Sequence, residues 1–429
     1  MGLIWRVGLW GWACEERLVG SIDMRLNSFQ KARVIPAACC LIIALLFVAA
    51  PAMAATTQVN VTKYYDNNYA LVMNSTTRNI AQLQGISSVY SNGPVYMQKG
   101  TFDPNDVWGN ANQGMSYYGE HNGTYVSNIT DLVGGMSDGD ELYVLGIDLP
   151  ITRYFGFDNV YTPHERQGDM VLAWWDNETG LAGDTWNSGL CLFFYTPPSS
   201  HGVADSLNLT NRDMEASFDS WYQRFTPDKF NPSALYPVAT GLMVKNVTDL
   251  AIYPPHRYDF ATGGDTTEWA YEGGVGASPG LNDPSGTMAD TSKIADPDDD
   301  LSELTDSEVN GEHAAQRFVF DVVEDPDNIE SLAVTWIGTG THDGGTNGAT
   351  VYIWNNGTGY EELNATTSGS EVTLTGTITT DIGDYVIDGN VTVLVKQKGA
   401  QVATPPPAKY SHLETDYVKL VVTHHHSNS

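Results

Sequence analysis

Ten histidines are the first residues to weigh, because imidazole serves both acid–base chemistry and metal binding. Seven are scattered: His121, His164, His201, His256, His313, His342 and His412. None stands in an H-x-x-x-H or H-x-x-E-H pattern. His424, His425 and His426 could hold a transition metal, but a terminal run has no surrounding shell to fix geometry. Residues 424–429 therefore read as a polar tail. Cys191, in GLCLFFY, is the sole cysteine beyond residue 40. It reads either as a buried small hydrophobe or as an odd thiol free to form an intermolecular disulfide. A carboxylate run, DPDDDLSELTDSE (296–308), could take calcium through Asp296, Asp298, Asp299 and Asp300. It lacks the glycine and spacing of an EF-hand loop, so a solvated linker is the competing reading. Trp174, Trp175, Trp186, Trp221, Tyr222, Tyr117 and Tyr118 could line a carbohydrate groove or pack a core. The chain has no nucleophile elbow, P-loop or dinucleotide fingerprint. No catalytic residue, no cofactor-binding residue and no cofactor other than calcium is expected, and the chain does not read as an enzyme.

Charge narrows the partners. Lys plus Arg is 21 and Asp plus Glu is 52, a formal net charge of −31 over 429 residues. Nucleic acid is excluded as a partner, since phosphate contacts need clustered Lys and Arg. The N-terminus reads as a targeting segment. Arg25, Lys31 and Arg33 precede the apolar run 34–50, and Ala52-Met53-Ala54 follows it, the three parts of a secretory signal peptide. The apolar run is shorter than the ~20 residues of a membrane span, and Pro51 closes it. Cleavage near Ala54 or Ala55 is expected, leaving no transmembrane anchor. Met24 would begin a signal of ordinary length. Residues 1–55 hold five basic and three acidic residues, so 21 − 5 = 16 basic and 52 − 3 = 49 acidic remain, net −33. Acceptor patterns N-x-S/T fall at Asn60, Asn74, Asn122, Asn128, Asn177, Asn208, Asn246, Asn356, Asn364 and Asn390, all after the signal. They fit an exported glycoprotein.

The elements that must position these residues are mostly strands. Residues 56–260 carry short apolar runs, ELYVLGI (141–147), DMVLAWW (169–175) and LCLFFYT (190–196), each bounded by Gly, Asp or Pro. MVKNVTDLAIYP (243–254) predicts a further strand. In NITDLVGGM (128–136), Asn128 or Thr130 would cap a short helix stopping at Gly134-Gly135. A β-rich α+β domain is expected. Residues 261–311 are rich in Gly, Asp, Ser and Thr and read as an acidic linker or long loop. Residues 312–423 return to strands, RFVFDVV (317–323), SLAVTWIG (331–338), ATVYIWN (349–355), EVTLTGTI (371–378), NVTVLVKQ (390–397) and DYVKLVV (416–422). Gly344-Gly345, Asn356-Gly357 and Asp388-Gly389 mark turns between them. Val391, Val393 and Val395 share one face, as do Val418, Leu420 and Val422. This spacing predicts a β-sandwich or jelly roll, making the whole chain mainly β.

At 127–254 the motifs SNITDLVGGMSDGDELYVLGID, FGFDNVYTPHERQGDMVLAWWDN, GLCLFFYTPP and YPVATGLMVKNVTDLAIYPP resemble a set found in exported surface proteins of methanogenic archaea, among them sheath and surface-layer-like structural proteins. This region is also distantly similar to the molybdopterin-binding fold of sulfite-oxidase-type enzymes. That fold holds its metal cofactor through a cysteine thiolate and basic residues. Here the one available cysteine lies in an apolar strand and basic residues are sparse, so the similarity implies the fold without the cofactor. The pattern RFVFDVV…LAVTWIG…VYIWNNGTGYEEL…TDYVKLVV is similar to jelly-roll modules of archaeal surface proteins. The resemblance implies a self-assembling subunit of an extracellular sheath, a homo-polymer held by strand and aromatic interfaces, with divalent cations and glycans as further partners. The alternative is a surface adhesin or carbohydrate-binding protein using the jelly roll.

Overall fold

A computed structural model describes residues 55–98, 115–147, 151–164, 167–195, 208–210, 218–227, 233, 235–297, 302–403 and 406–428. The expected signal peptide lies outside them, save Ala55. So do Asp298, Asp299 and Asp300 of the calcium reading, leaving Asp296 as its one described member. No described helix is long and apolar enough to cross a membrane.

In the first half, the strands are β1 (Gln58–Tyr65), β2 (Asn68–Asn79), β3 (Val89–Tyr90), β4 (Val95–Gln98), β5 (Met115–Tyr117), β6 (His121–Tyr125), β7 (Glu141–Gly146) and β8 (Ile151–Gly156). They continue with β9 (Asp169–Asp176), β10 (Gly180–Leu181), β11 (Cys191–Tyr195), β12 (Asn208–Thr210), β13 (Phe225–Pro227), β14 (Leu235–Pro237) and β15 (Val247–Tyr253). Helices are short: α1 (Ile80–Ile86), α2 (Val126–Thr130) and α3 (Phe157–Tyr161). One sheet runs β2-β1-β15-β7-β8, with β1 and β15 parallel and the other neighbours antiparallel. A second runs β10-β9-β6-β3, with β11 also on β9. Their shared core holds Leu142, Phe155, Phe193 and Phe194. All five residues of CLFFY are buried, which is why this strand shows no alternation. Gly123 is required where β6 meets β9: a Cβ there would sit 2.3 Å from Val171 Cγ1 and 2.7 Å from the Leu172 carbonyl oxygen.

Helix α2 begins at Val126, so neither Asn128 nor Thr130 caps it. The Thr130 hydroxyl instead donates back to the Val126 carbonyl at 3.1 Å. The stop is where the glycine pair indicates it: Gly134 takes φ 103° after a last turn over Asp131–Val133.

The second half adds β16 (His256–Asp259), β17 (Glu268–Val275), β18 (Gly286–Thr287), β19 (Glu303–Ser307), β20 (His313–Asp321) and β21 (Ile329–His342). It ends with β22 (Ala349–Asn355), β23 (Gly359–Ala365), β24 (Val372–Ile378), β25 (Asn390–Gln397) and β26 (Ser411–His424). Antiparallel sheets β18-β17-β20-β25-β22-β23 and β16-β26-β21-β24 enclose a core of Phe318, Phe320, Trp336, Val393 and Leu420, the expected β-sandwich. Along β21 every second residue from Leu332 is buried, the period of a strand with one face inward. A polar chain ties the sheets through the core. Trp336 Nε1 donates to Thr415 Oγ1 at 2.7 Å, Thr415 donates to Gln316, and Gln316 Nε2 donates to Thr305 Oγ1 at 2.9 Å. Each buried polar group thereby keeps a partner.

Two boundaries are corrected. Residues 261–311 are not a linker, because β17 pairs with β20 along its full length and β19 pairs with β26. Glycine and acid content hid strands whose stability comes from their neighbours. Nor are residues 424–428 a free tail. His424 ends β26, and Asn428 is 3% exposed.

Candidate functional site

The outer face of the first sheet carries a row of tyrosines. On β7 and β8, Leu142, Val144 and Phe155 point into the core, so alternation sends Tyr143 and Tyr154 to the opposite face. The register places Tyr143 opposite Tyr154 and sets Tyr253 of β15 beside Tyr64 of β1. Their rings form a continuous belt. Tyr64 stacks on Tyr253 at 4.7 Å between centroids, Tyr253 meets Tyr143 edge-on at 6.4 Å, and Tyr143 lies 5.4 Å from Tyr154. Tyr154 then stacks on His426 at 4.5 Å. From β2, Tyr69 stacks on His256 at 4.5 Å and meets Tyr253 edge-on at 5.3 Å. All five tyrosines are half-buried.

Facing this belt is a histidine–carboxylate cluster from the sandwich. His256 is 1% exposed, with Nδ1 2.6 Å from Glu324 Oε1 and Nε2 2.9 Å from Asp265 Oδ1. Burial opposes its charge, but the bonds and field of the two carboxylates outweigh burial and hold the imidazole above its ordinary pKa. Burial likewise disfavours charged Glu324, yet hydrogen bonds from His256 and Tyr258 keep its carboxyl below the usual range. His426 Nδ1 lies 2.6 Å from Glu141, and that bond raises its pKa against burial. His424 differs. Burial pushes its pKa down, its side chain is 10% exposed, and its Nδ1 has no hydrogen-bond partner. Glu324 Oε1 at 3.9 Å is too far to supply one.

Belt and cluster enclose an open cleft of about 480 Å³. Its rim adds Asp325 and Asn328. A second cleft of about 510 Å³ lies beside it, lined by Asp140, Asp158, Asp219, Tyr222 and Glu330. Among the described residues, no group of three or more His, Cys, Asp and Glu is placed to hold a metal ion.

The last residues of the described chain bind the two halves together. His425 Nδ1 lies 2.6 Å from the Tyr222 hydroxyl. Asn428 docks on the outer edge of β8: its Oδ1 accepts from the Tyr154 amide at 2.9 Å, and its Nδ2 donates to the Tyr154 carbonyl at 2.8 Å. Hairpin β1–β2 is held from the other side, where Arg257 donates to both Asp66 carboxylate oxygens at 2.9 and 3.1 Å.

The sheet's two edges consequently differ. Asn428 covers β8 at Tyr154, whereas among the described residues no strand flanks β2 on its outer side, where only its first residues meet a loop, Tyr69 donating its amide to Asp265 Oδ2 at 3.0 Å. On β2, Leu71, Val72 and Met73 are 50%, 48% and 47% exposed. From Gln58 to Asn79 the hairpin holds one acidic residue, Asp66, against Lys63 and Arg78, net +1 in a chain of −31.

The sites expected from sequence fare unevenly. Trp174, Trp186 and Tyr222 are buried in the first core, and Trp175, Trp221 and Tyr118 pack against it, so they form no groove; Tyr117 is exposed. Cys191 is fully buried, with its thiol 3.3 Å from the Ser188 carbonyl, and cannot reach another chain's sulfur in the folded state. Asn246 is removed from the glycan acceptors: it is 1% exposed and its Oδ1 accepts from the Thr56 amide at 2.9 Å. Asn60, Asn74, Asn177 and Asn356 are exposed, while Asn122, Asn128, Asn364 and Asn390 are half-buried. Asn208 lies on β12, its side chain outside the description. The tyrosine belt was missed. Its one sequence signal is Tyr at the polar positions of YVLG and TRYFG, visible once strand phase is known.

Residues 265–424 match the family model described as AF_1625_C, "Uncharacterized protein, C-terminal domain", which spans the sandwich from the start of β17. No curated protein matches the chain. Solved structures similar to it include "xylan-binding module CBM15", at 13% identity and TM-score 0.23, covering 40% of this chain and 99% of that one. Another is "CpGH89CBM32-6 produced by Clostridium perfringens", at 9% identity and TM-score 0.20, covering 38% and 98%. At such TM-scores the likeness carries no argument.

Proposed function

We propose that this chain is an exported structural protein whose copies join edge to edge through β2, as a subunit of a cell-surface sheath or layer. The observation that supports this is the asymmetry of the first sheet's edges. A long edge strand with exposed apolar side chains is a template for another strand, and most proteins blunt such edges with charge or cover. Here Asn428 covers β8 at Tyr154, and among the described residues no strand covers β2 beyond the loop contacts at Asn68 and Tyr69. The hairpin also lacks the acidic residues that would make like copies repel at contact. Bulges at Lys63/Tyr64 and Tyr64/Tyr65 leave Asn74–Asn79 as the regular segment, with the apolar trio beside it. Two copies of β2 paired antiparallel would continue one five-stranded sheet into the other across a two-fold axis, a closed pair, so a layer requires a second contact between such pairs.

The long-range repulsion of a strongly acidic chain weakens as salt shortens the Debye length from ~30 Å at 0.01 M to ~10 Å at 0.1 M. Light scattering of residues 55–429 across a salt series is the test. Association that rises with salt, and that disappears in a Leu71→Lys/Met73→Lys variant of unchanged melting temperature, is expected. A monomer at every salt concentration, or a variant that still associates, overturns the proposal.

A further inference from the structure

The residues that follow β26 lie over a buried acid. The Glu141 side chain, on β7, is 4% exposed. Both of its oxygens are taken by one residue 285 positions away: the His426 amide donates to Oε1 at 2.8 Å, and His426 Nδ1 lies 2.6 Å from Oε2. The same ring stacks on Tyr154 at 4.5 Å. Yet the His426 side chain is itself 46% exposed. It is a thin cover, with water on one side and a carboxylate and a tyrosine ring on the other. Its neighbours in the chain hold the cover at both ends. His425 Nδ1 lies 2.6 Å from the Tyr222 hydroxyl and Nε2 2.8 Å from Glu330, while Asn428 holds the Tyr154 amide and carbonyl.

The groups around the His426 ring set its charge. Glu141 faces it from β7, Tyr154 from β8, His424 from the end of β26 at 5.3 Å between centroids, and Glu324 from the chain after β20. Tyr222 faces Glu141 and His425 from the turn Ser220–Tyr222. Both carboxylates favour the imidazolium. Burial pushes the His424 pKa down, so that ring adds little opposing charge.

We infer that residues 425–428 form a pH-gated strap, which opens locally when His426 loses its proton, baring Tyr154 at one end of the cleft and letting water reach Glu141. A neutral imidazole still offers a hydrogen bond, but a carboxylate buried without a counter-charge is costly. Lifting the strap hydrates it, so deprotonation and opening are linked. The sign follows from the two states. With the strap open, the ring stands in water and titrates near its ordinary value of about 6.5. With the strap closed, the bond to Glu141 raises that value. Closure is complete below about 6.5 and fades as pH rises through the closed-state value. Elsewhere the halves stay joined by Arg257 and Asp66, a pair that keeps its charge over the same range. Opening is therefore confined to the strap, and it does not rest on association through β2.

Amide exchange of residues 55–429 followed by NMR from about pH 6 to about pH 9 tests it, each rate divided by that of an unstructured chain at the same pH. Protection at Tyr154 should fall by at least about threefold across this range, with its midpoint at the pH where the His426 ring itself titrates. Protection in β9 and β11 should hold, which marks the opening as local. His426→Gln, which keeps a donor and cannot be charged, should leave Tyr154 weakly protected at every pH. Glu141→Gln, which removes the buried charge, should abolish the pH dependence while β9 and β11 stay protected. Tyr154 protection that is constant over the range in the unaltered chain overturns the inference. So does a loss that β9 and β11 share, which is global unfolding. A pH-dependent loss that persists in His426→Gln also overturns it, by assigning the proton to another group such as His256.

Discussion

His121 in the first core and His256 at the seam between the halves are each 1% exposed, and each ring stacks on an aromatic neighbour. Their pKa values are shifted in opposite directions. His121 lies between Phe193 at 4.4 Å and Trp186 at 5.3 Å, with Asp176 no nearer than 3.5 Å from its Nδ1. Burial outweighs that one distant carboxylate and pushes its pKa down to about 4. His256 has a carboxylate in direct hydrogen bond on each ring nitrogen, and these outweigh the same burial. Depth alone does not decide the charge of a buried imidazole. The number and reach of its carboxylates do. One histidine belongs to an apolar core, the other to a hydrogen-bonded rivet of imidazole and two carboxylates, and each region should fail under different conditions.

Removing the rivet is the strongest way to break the contrast. His256→Leu leaves Glu324, whose side chain is 6% exposed, without the imidazole that pairs with it at 2.6 Å. Such a loss costs roughly 3–5 kcal/mol. Urea unfolding should show it, and His121→Leu, which strands no buried charge partner at hydrogen-bond range, should cost clearly less.

A pH series sharpens the contrast next, because the two histidines have opposite signs. Folded His121 resists protonation until about pH 4, whereas the unfolded chain takes that proton near its ordinary value of about 6.5. Stability tied to it therefore falls as pH drops from about 6.5 to about 4, by about 3 kcal/mol at one unit per 1.36 kcal/mol. For His256 the folded pKa is the higher one. Its contribution is complete below about 6.5 and fades as pH rises through the folded value. Replacing His121 by Phe should flatten the acid limb of the stability curve, and replacing His256 by Phe the neutral-to-alkaline limb. Curves that shift together would sink the assignment.

The smallest expected effect separates the rivet from the clasp at the chain's end. Asn428→Ala removes bonds to the Tyr154 amide and carbonyl and to the Tyr222 carbonyl, all from one side chain. A loss of about 1–3 kcal/mol is expected. Amide exchange at Tyr154 should accelerate, while exchange in β9 and β11 of the first core should not.

The sandwich was legible because its strands carry their own signal. In VTWIG of β21 and VKLVV of β26 every second side chain enters the core, and that period is written in consecutive residues. The CLFFY and VLAWW strands were legible by apolar length alone. EWAYEGGV was not, since nothing within it marks a strand and its partner β20 begins 38 residues after Val275. The same limit hid the site. His256 and Glu324 are 68 residues apart, and Asn428 and Tyr154 are 274 apart.

By itself, the sequence determined the mainly-β character, the two cores and the acidic surface, because burial periodicity and charge are properties of single segments. Tertiary structure alone decided that HHHSN is a clasp and not a tail. It also set five tyrosines in one row, pushed one histidine's pKa down and another's up, and left β2, among the described residues, without a neighbouring strand on its outer side. Each of these depends on which distant strands become neighbours, and that pairing is fixed only when the chain closes on itself.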